Sequence, residues 1–237
     1  MRIHPITPAE RAAFKCLSWA ERLKAYIRRH KGIHDIYAAE TPYVPYRLKG
    51  DGANAYLEPL DIIIADGTQV SNTTTETIIC PDFSIPAFYM APYKTVYIWA
   101  FGVNSNVVTT PGTQTMRVRW GGVAGTVLLA TAAQGLDTTA RTNALWNLEA
   151  KIVCRTAGAT GTFMSGGIWA QINVLSSTAA NLLPAMMGSA GTPLASGNAA
   201  VTVDTTTAKL LSVTGQFSVA TSPTNLTCQQ RIIIVNN

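Results

Sequence analysis

Charge is what this sequence has least of. Lys, Arg, Asp and Glu make up 13% of its 237 residues, about half the share usual in a soluble globular domain, so much of the surface must be neutral. Histidine is scarcer still: His4, His30 and His34 are the only three, all before residue 35. A Ser/His/Asp triad or a His-ligated metal is therefore excluded from the rest of the chain unless the amino-terminal segment supplies the imidazole. The four cysteines, Cys16, Cys80, Cys154 and Cys228, form no CxxC pair and have no nearby histidine to complete a zinc set. They are expected to be buried thiols. The long charge-free stretch from Thr156 to Val203 is Ala, Gly, Ser, Thr and Asn with Pro184 and Pro193, too polar for a membrane span. Arg11, Lys15, Arg22 and Lys24 interrupt every window in which the apolar core of a secretory signal could sit, so no export signal is expected.

Catalytic signatures are missing as well. Ser165-Gly166-Gly167 and Gly188-Ser189-Ala190-Gly191 do not match G-x-S-x-G and do not lie between a strand and a helix. No Gly-rich phosphate loop follows a strand and opens a helix. A carboxylate pair for glycoside hydrolysis could come from Asp61, Asp66, Glu76, Asp82, Asp137, Glu149 and Asp204, which are read as scattered surface and turn acids. The chain is expected to be no enzyme, with no cofactor and no bound metal.

What is abundant points to strands: 30 Thr, with 18 Gly and 12 Pro for turns. The charges are also unevenly placed. Residues 1–50 hold ten Lys/Arg and four Asp/Glu, whereas residues 51–237 hold eight and nine. The first segment is thus +6 and the remainder −1, which implies different roles for the two.

Thr7-Pro8-Ala9-Glu10 places a capping hydroxyl, a proline at the first helical position and a glutamate three residues after the cap. A helix is predicted from Pro8 to Lys31, ended by Gly32 after a basic last turn. Trp19, Ala12, Leu23, Cys16 and Ile27 share one face of it, while Arg11, Lys15, Arg22 and Arg29 align on another. The basic stripe has three readings: a solvated face, a dock for an acidic protein surface, or a contact with nucleic-acid phosphates. The last is disfavoured because no aromatic or Gly-rich base-reading pattern accompanies the charges. Membrane-surface binding is discounted because the apolar face is largely Ala. Residues 33–59 read as an extended arm in which Tyr37, Tyr43, Tyr46 and Tyr56 are interleaved with Pro42, Pro45 and Pro59, with a turn at Gly50-Asp51-Gly52. Such a segment suits clamping of a partner, Tyr giving large contact area at low entropic cost; a linker folded on its own domain is the other reading.

From residue 60 onward short β-patterned runs alternate with turn residues: 60–65, 75–83, 94–103, 113–120, 124–131, 145–156, 162–174, 199–205, 209–220 and 226–235. In 113–120, Met116, Val118 and Trp120 alternate with Arg117 and Arg119, so one face is buried. Gly121-Gly122, the 157–161 segment and Ser222-Pro223 mark hairpin ends. No helical pattern is interleaved, which excludes a parallel sheet. The fold class is therefore mainly β: an antiparallel jelly-roll sandwich of about eight to ten strands (60–237), preceded by an amino-terminal α-helix and extended arm (1–59). The terminal strand, Arg231-Ile232-Ile233-Ile234-Val235, is apolar on both faces and should be central or covered by another subunit. Trp99, Trp120, Trp146 and Trp169 each lie within an alternating strand and are read as core.

The stretch from Tyr97 to Asn106, followed by Thr115-Met116-Arg117-Val118-Arg119-Trp120-Gly121-Gly122, resembles part of a jelly-roll domain of tailed-bacteriophage virion proteins. Trp146 to Thr162 is similar to that family's paired strands and Gly/Thr-rich turn. The resemblance spans roughly residues 60–237, in pattern more than identity, and carries no catalytic residue. It implies a head decoration, cement or head-fibre protein that forms a homotrimer on the capsid exterior, made in the host cytoplasm. The expected partners are its own copies, the major capsid protein and a further head-fibre protein. Arg11, Lys15, Arg22 and Arg29 are the candidates for electrostatic docking on the capsid, and Tyr43 and Tyr46 for contact area. A charge-poor body fits trimerisation independently, because neutral sheet faces are then hidden between subunits. Two alternatives stand beside this: a tail or head-fibre module binding host glycans, and a shell-forming coat protein whose basic arm touches the genome.

Overall fold

Period-two alternation builds the body as expected. In the strand Thr113–Trp120, Gln114, Met116, Val118 and Trp120 are buried while the residues between them are half-exposed. Arg141–Thr156 follows the same rule, with Trp146, Leu148, Ala150, Ile152 and Cys154 inside. The computed structural model describes residues 49–50, 55–56, 61–107, 109–171, 185–189 and 199–236; the predicted helix 8–31 and most of the arm lie outside them. Within the arm, β1 (Lys49–Gly50) and β2 (Ala55–Tyr56) pair antiparallel; Gly50, expected in a turn, is the last residue of β1, and Asp51 and Gly52 lie outside the described residues.

The remaining strands are β3 (Asp61–Ile63), β4 (Val70–Ser71), β5 (Thr77–Ile78), β6 (Phe83–Ile85), β7 (Thr95–Asn106), β8 (Thr113–Trp120), β9 (Thr126–Ala130) and β10 (Gln134–Gly135). They continue with β11 (Arg141–Thr156), β12 (Gly161–Gln171), β13 (Ala185–Gly188), β14 (Val201–Val203), β15 (Lys209–Phe217) and β16 (Asn225–Asn236). These fourteen form one antiparallel sheet in the order β3-β16-β7-β11-β12-β13-β9-β8-β15-β5, with β4 also on β16, β6 on β15, β10 on β8 and β14 on β12. The count exceeds the expected eight to ten because the run 75–83 splits into β5 and β6, and the short strands β4, β10 and β13 carry no readable alternation.

The sheet curls until its inner surface closes on itself. Trp120 of β8 meets Phe163 of β12 edge to face, ring centroids 5.0 Å apart, although β13 and β9 separate their strands in the pairing order. Such a pair adds about 1 kcal/mol beyond the burial of its area. The β16 strand is central, between β3 and β7, as its two apolar faces require. One of its inward residues is Arg231, 1% exposed, whose guanidinium donates to Asp61 and to the Pro81 carbonyl. A bulge between Cys228 and Gln230 shifts the register against β7, and there Gly102 faces the partner backbone so closely that a Cβ would sit 1.9 Å from the Thr227 carbonyl oxygen.

The cysteines depart from expectation. Cys80 and Cys228 form a disulfide, Cα atoms 5.5 Å apart across 148 residues of sequence, because the pairing of β16 brings its start under the segment preceding β6. Cys154 is a buried free thiol, as expected; Cys16 lies outside the described residues.

Candidate interaction surface

Of the four tryptophans read as core, Trp120, Trp146 and Trp169 are at most 4% exposed, but Trp99 is 37% exposed. It stands on the outer side of β7, where Tyr97, Trp99, Phe101 and Val103 alternate with inward Val96, Ile98, Ala100 and Gly102. Both sides of β7 are apolar, so alternation alone cannot say which is inside. The strand register makes Trp99 the middle of a row that crosses six strands: Ile62 of β3, Ile232 of β16, Trp99, Glu149 of β11, Ile168 of β12 and Met186 of β13. At ~4.8 Å per strand the row runs roughly 24 Å. Ile62 and Met186 are each about half exposed, at 48% and 55%. Flanking rows add Phe101 beside Asn147, Leu145 beside Val103, and Tyr97 beside Lys151, and Ile64 follows β3. Phe101, Leu145 and Ile64 are all exposed.

Glycine shapes the centre. Gly166 lies opposite Lys151 and beside Gly188, so the row has no side chain there and a groove of about 260 Å³ opens between Tyr97, Trp99, Glu149, Lys151 and Ile168. Next to it Gly167 packs on the β11 backbone, where a Cβ would come within 2.5 Å of the Glu149 carbonyl oxygen. The Tyr97 and Trp99 rings stack 5.7 Å apart at 8°, and the Lys151 ammonium hangs 5.5 Å from the Tyr97 ring centre. Glu149 accepts a long 3.4 Å bond from Asn147. Among the described residues, neither Glu149 nor Lys151 has an ion-pair partner.

The other half of the sheet treats its charges differently. On β8 and β15 the outward polar side chains bond to acids of the chain from 74 to 82, whose strand β5 pairs with β15. The Glu76 carboxylate accepts from Arg119 Nε at 2.5 Å and its terminal nitrogen at 2.6 Å, from Arg117 at 3.1 Å and from the Thr214 hydroxyl at 2.5 Å. Burial opposes ionisation of Glu76, but the bonds from Arg119 and Thr214 and the charges of Arg117 and Arg119 outweigh it and hold the carboxyl below its ordinary value. Beside it, the Ser212 hydroxyl donates to Asp82 at 2.5 Å.

The acids weighed for glycoside hydrolysis are mostly occupied this way. Asp61 is tied to Arg231, Glu76 to its two arginines, Asp82 to Ser212, Asp137 to Arg141, and Asp204 to Thr206, Thr207 and Lys209. The Cys154 thiol is pushed up to about 11 by burial, against the opposing pull of Lys94, so at neutral pH it is protonated and a poor nucleophile. The sequence-derived anchor residues Arg11, Lys15, Arg22, Arg29, Tyr43 and Tyr46 lie outside the described residues. No protein-family model matches the chain, and no curated protein matches it in sequence.

Proposed function

We propose that the chain is a structural subunit of a tailed-phage virion, a capsid decoration or cement protein that acts as a homotrimer. In this reading the body is a jelly roll. Its support is the pairing order: taking β3/β4, β5/β6, β7, β8, β9, β11, β15 and β16 as positions one to eight, they run 1-8-3-6 along one half of the sheet and 2-7-4-5 along the other. That order is the one expected of the double Greek-key winding of jelly rolls, an architecture shared by viral capsid and lectin domains, and so supports this reading. The strands β12, β13 and β14 are then an insertion between positions six and seven that widens the first half.

The observation that carries an assembly role is the apolar outer face centred on Trp99. A soluble monomer rarely leaves a contiguous apolar surface of this extent in water, and the body has few charges to keep it dissolved. Amino-terminal residues Arg11, Lys15, Arg22 and Arg29, with Tyr43 and Tyr46, anchor the subunit to the major capsid protein. The glycan-binding alternative is weakened, because three of the four tryptophans that could stack on sugars are in the core.

The test is reconstitution. Purified protein is added to capsids of the parent phage that lack it, and bound protein is measured by co-sedimentation and located by cryo-EM. Saturable binding at symmetric lattice positions is expected, with loss of binding when Arg11, Lys15, Arg22 and Arg29 are all changed to Glu. Absence of the protein from purified virions would overturn the assignment.

A further inference from the structure

We propose that the outer face of β3, β16, β7, β11, β12 and β13 is covered by further copies of this same chain, with Glu149 of one copy paired to Lys151 of the next. The proposal rests on the assembly reading above and names the occupant of the face. Two observations select a second copy over a foreign partner. The first is charge. Glu149 and Lys151 stand two residues apart on the outer side of β11, amid apolar neighbours and with no ion-pair partner among the described residues, and Arg155 is exposed at the end of the same strand. A surface built for a partner of one sign would carry the other alone; one that must meet itself needs both. In a closed trimer the face of each copy turns toward the three-fold axis, and Glu149 of each reaches Lys151 of its neighbour around the ring.

The second is area. Ile62, Ile64, Trp99, Phe101, Leu145, Ile168 and Met186 are all exposed on or beside this face. At roughly 200 Å² each and about half exposure they offer on the order of 700 Å² of apolar surface, close to the ~800 Å² per partner of a stable interface. Apolar bulk supplies the association, and the Glu149–Lys151 pair sets its register. The groove over Gly166 gives the neighbour's side chains somewhere to seat.

The experiment uses the full chain and sedimentation velocity across a concentration series. The unmodified protein should be an oligomer, and Trp99→Glu should leave it monomeric with an unchanged circular-dichroism spectrum. Glu149→Lys alone, or Lys151→Glu alone, should weaken association by about tenfold or more, because each puts like charges at the contact. The doubly exchanged chain, Glu149→Lys with Lys151→Glu, should restore association, since every contact around the ring then again joins opposite charges. Recovery in a chain that carries both substitutions cannot arise if either one misfolds it. An unmodified chain that stays monomeric, single variants that associate normally, or a double variant that fails to recover would each overturn the proposal. So would glycan binding blocked by Trp99→Glu in a monomeric chain, which would assign the face to sugars. Capsid binding by a monomer would leave the virion role standing and remove the self-contact alone.

Discussion

Replacing Glu76 by Gln keeps the shape of the side chain and removes its charge. In the folded protein that carboxylate collects two bonds from Arg119, one from Arg117 and one from Thr214, with side-chain exposures of 15% for Glu76 and Arg119 and 21% for Arg117. The amide would offer one acceptor and turn an N–H₂ toward guanidinium donors. Exposed pairs contribute about 0–1 kcal/mol and breaking a fully buried one costs about 3–5 kcal/mol. A cluster mostly but not wholly shielded falls between, so the variant should lose about 2 kcal/mol, or roughly 4–8 °C in Tm for a chain of this size. The pH dependence gives a second reading of the same cause. The folded carboxyl titrates below its ordinary 4.5, so its contribution is complete above that value and disappears as the pH falls through the lowered one. Urea unfolding of both proteins at pH 7 and near pH 2.5 measures the gap. It should be full at pH 7 and shrink on acidification. A gap under about 0.5 kcal/mol at pH 7, or one of equal size at both pH values, would refute the idea that this charge pins β5 to β8 and β15.

The disulfide and the central bulge provide two further tests. Closing a loop of 148 residues stabilises by up to ~5 kcal/mol on the chain-entropy model, and typical bridges deliver about 2–4 kcal/mol. Cys80→Ser/Cys228→Ser, or reduction of the unmodified protein, should therefore lower Tm by about 5–15 °C, and non-reducing peptide mapping should recover the two cysteines linked. Equal melting with and without reductant would count against the bridge. Gly102→Ala drives a Cβ into the Thr227 carbonyl at the most heavily paired strand, and should cost more than about 3 kcal/mol by urea midpoint. The control is Gly122→Ala at φ 80° with no atom within 4 Å of its Cβ, where only the backbone conformation objects and about 1 kcal/mol is expected. If the two substitutions cost the same, steric approach at the bulge is not what requires Gly102.

Where one face of a strand is apolar and the other polar, composition alone located it well: β8 begins and ends where the alternation of Met116, Val118 and Trp120 with Arg117 and Arg119 says it should. What escaped was whatever depends on a neighbour in space. On β7 both faces are apolar, and Trp99 is outside only because the register sets it against Glu149, which β11 must turn to solvent so that Leu148 and Ala150 go in. Arg231 reads as the start of an apolar run, yet it is buried, its two terminal nitrogens donating to the Pro81 carbonyl and to Asp61 on the paired strand. The Cys80–Cys228 bond is invisible for the same reason: nothing local marks two cysteines 148 residues apart. The expected anchor, residues 1–59, is a matter of charge and capping pattern alone.

The low charge content looks uniform along the body but is spatially divided. On one outer side the few charges are consumed in a closed set: Arg117 and Arg119 close on Glu76, and Asp82 on Ser212. On the other, Glu149 and Lys151 have no ion-pair partner among the described residues and stand in a field of Ile, Trp, Phe, Leu and Met. A protein short of charge for solubility alone would spread what it has over both sides. Sealing one side with internal ion pairs and leaving two complementary charges on the other is the distribution expected if the first side faces water and the second faces a copy of itself. The charge exchange Glu149→Lys with Lys151→Glu in one chain therefore tests more than one contact: if it restores the oligomer that each single substitution weakens, the missing charge of this sequence is explained by a surface that is never meant to be exposed.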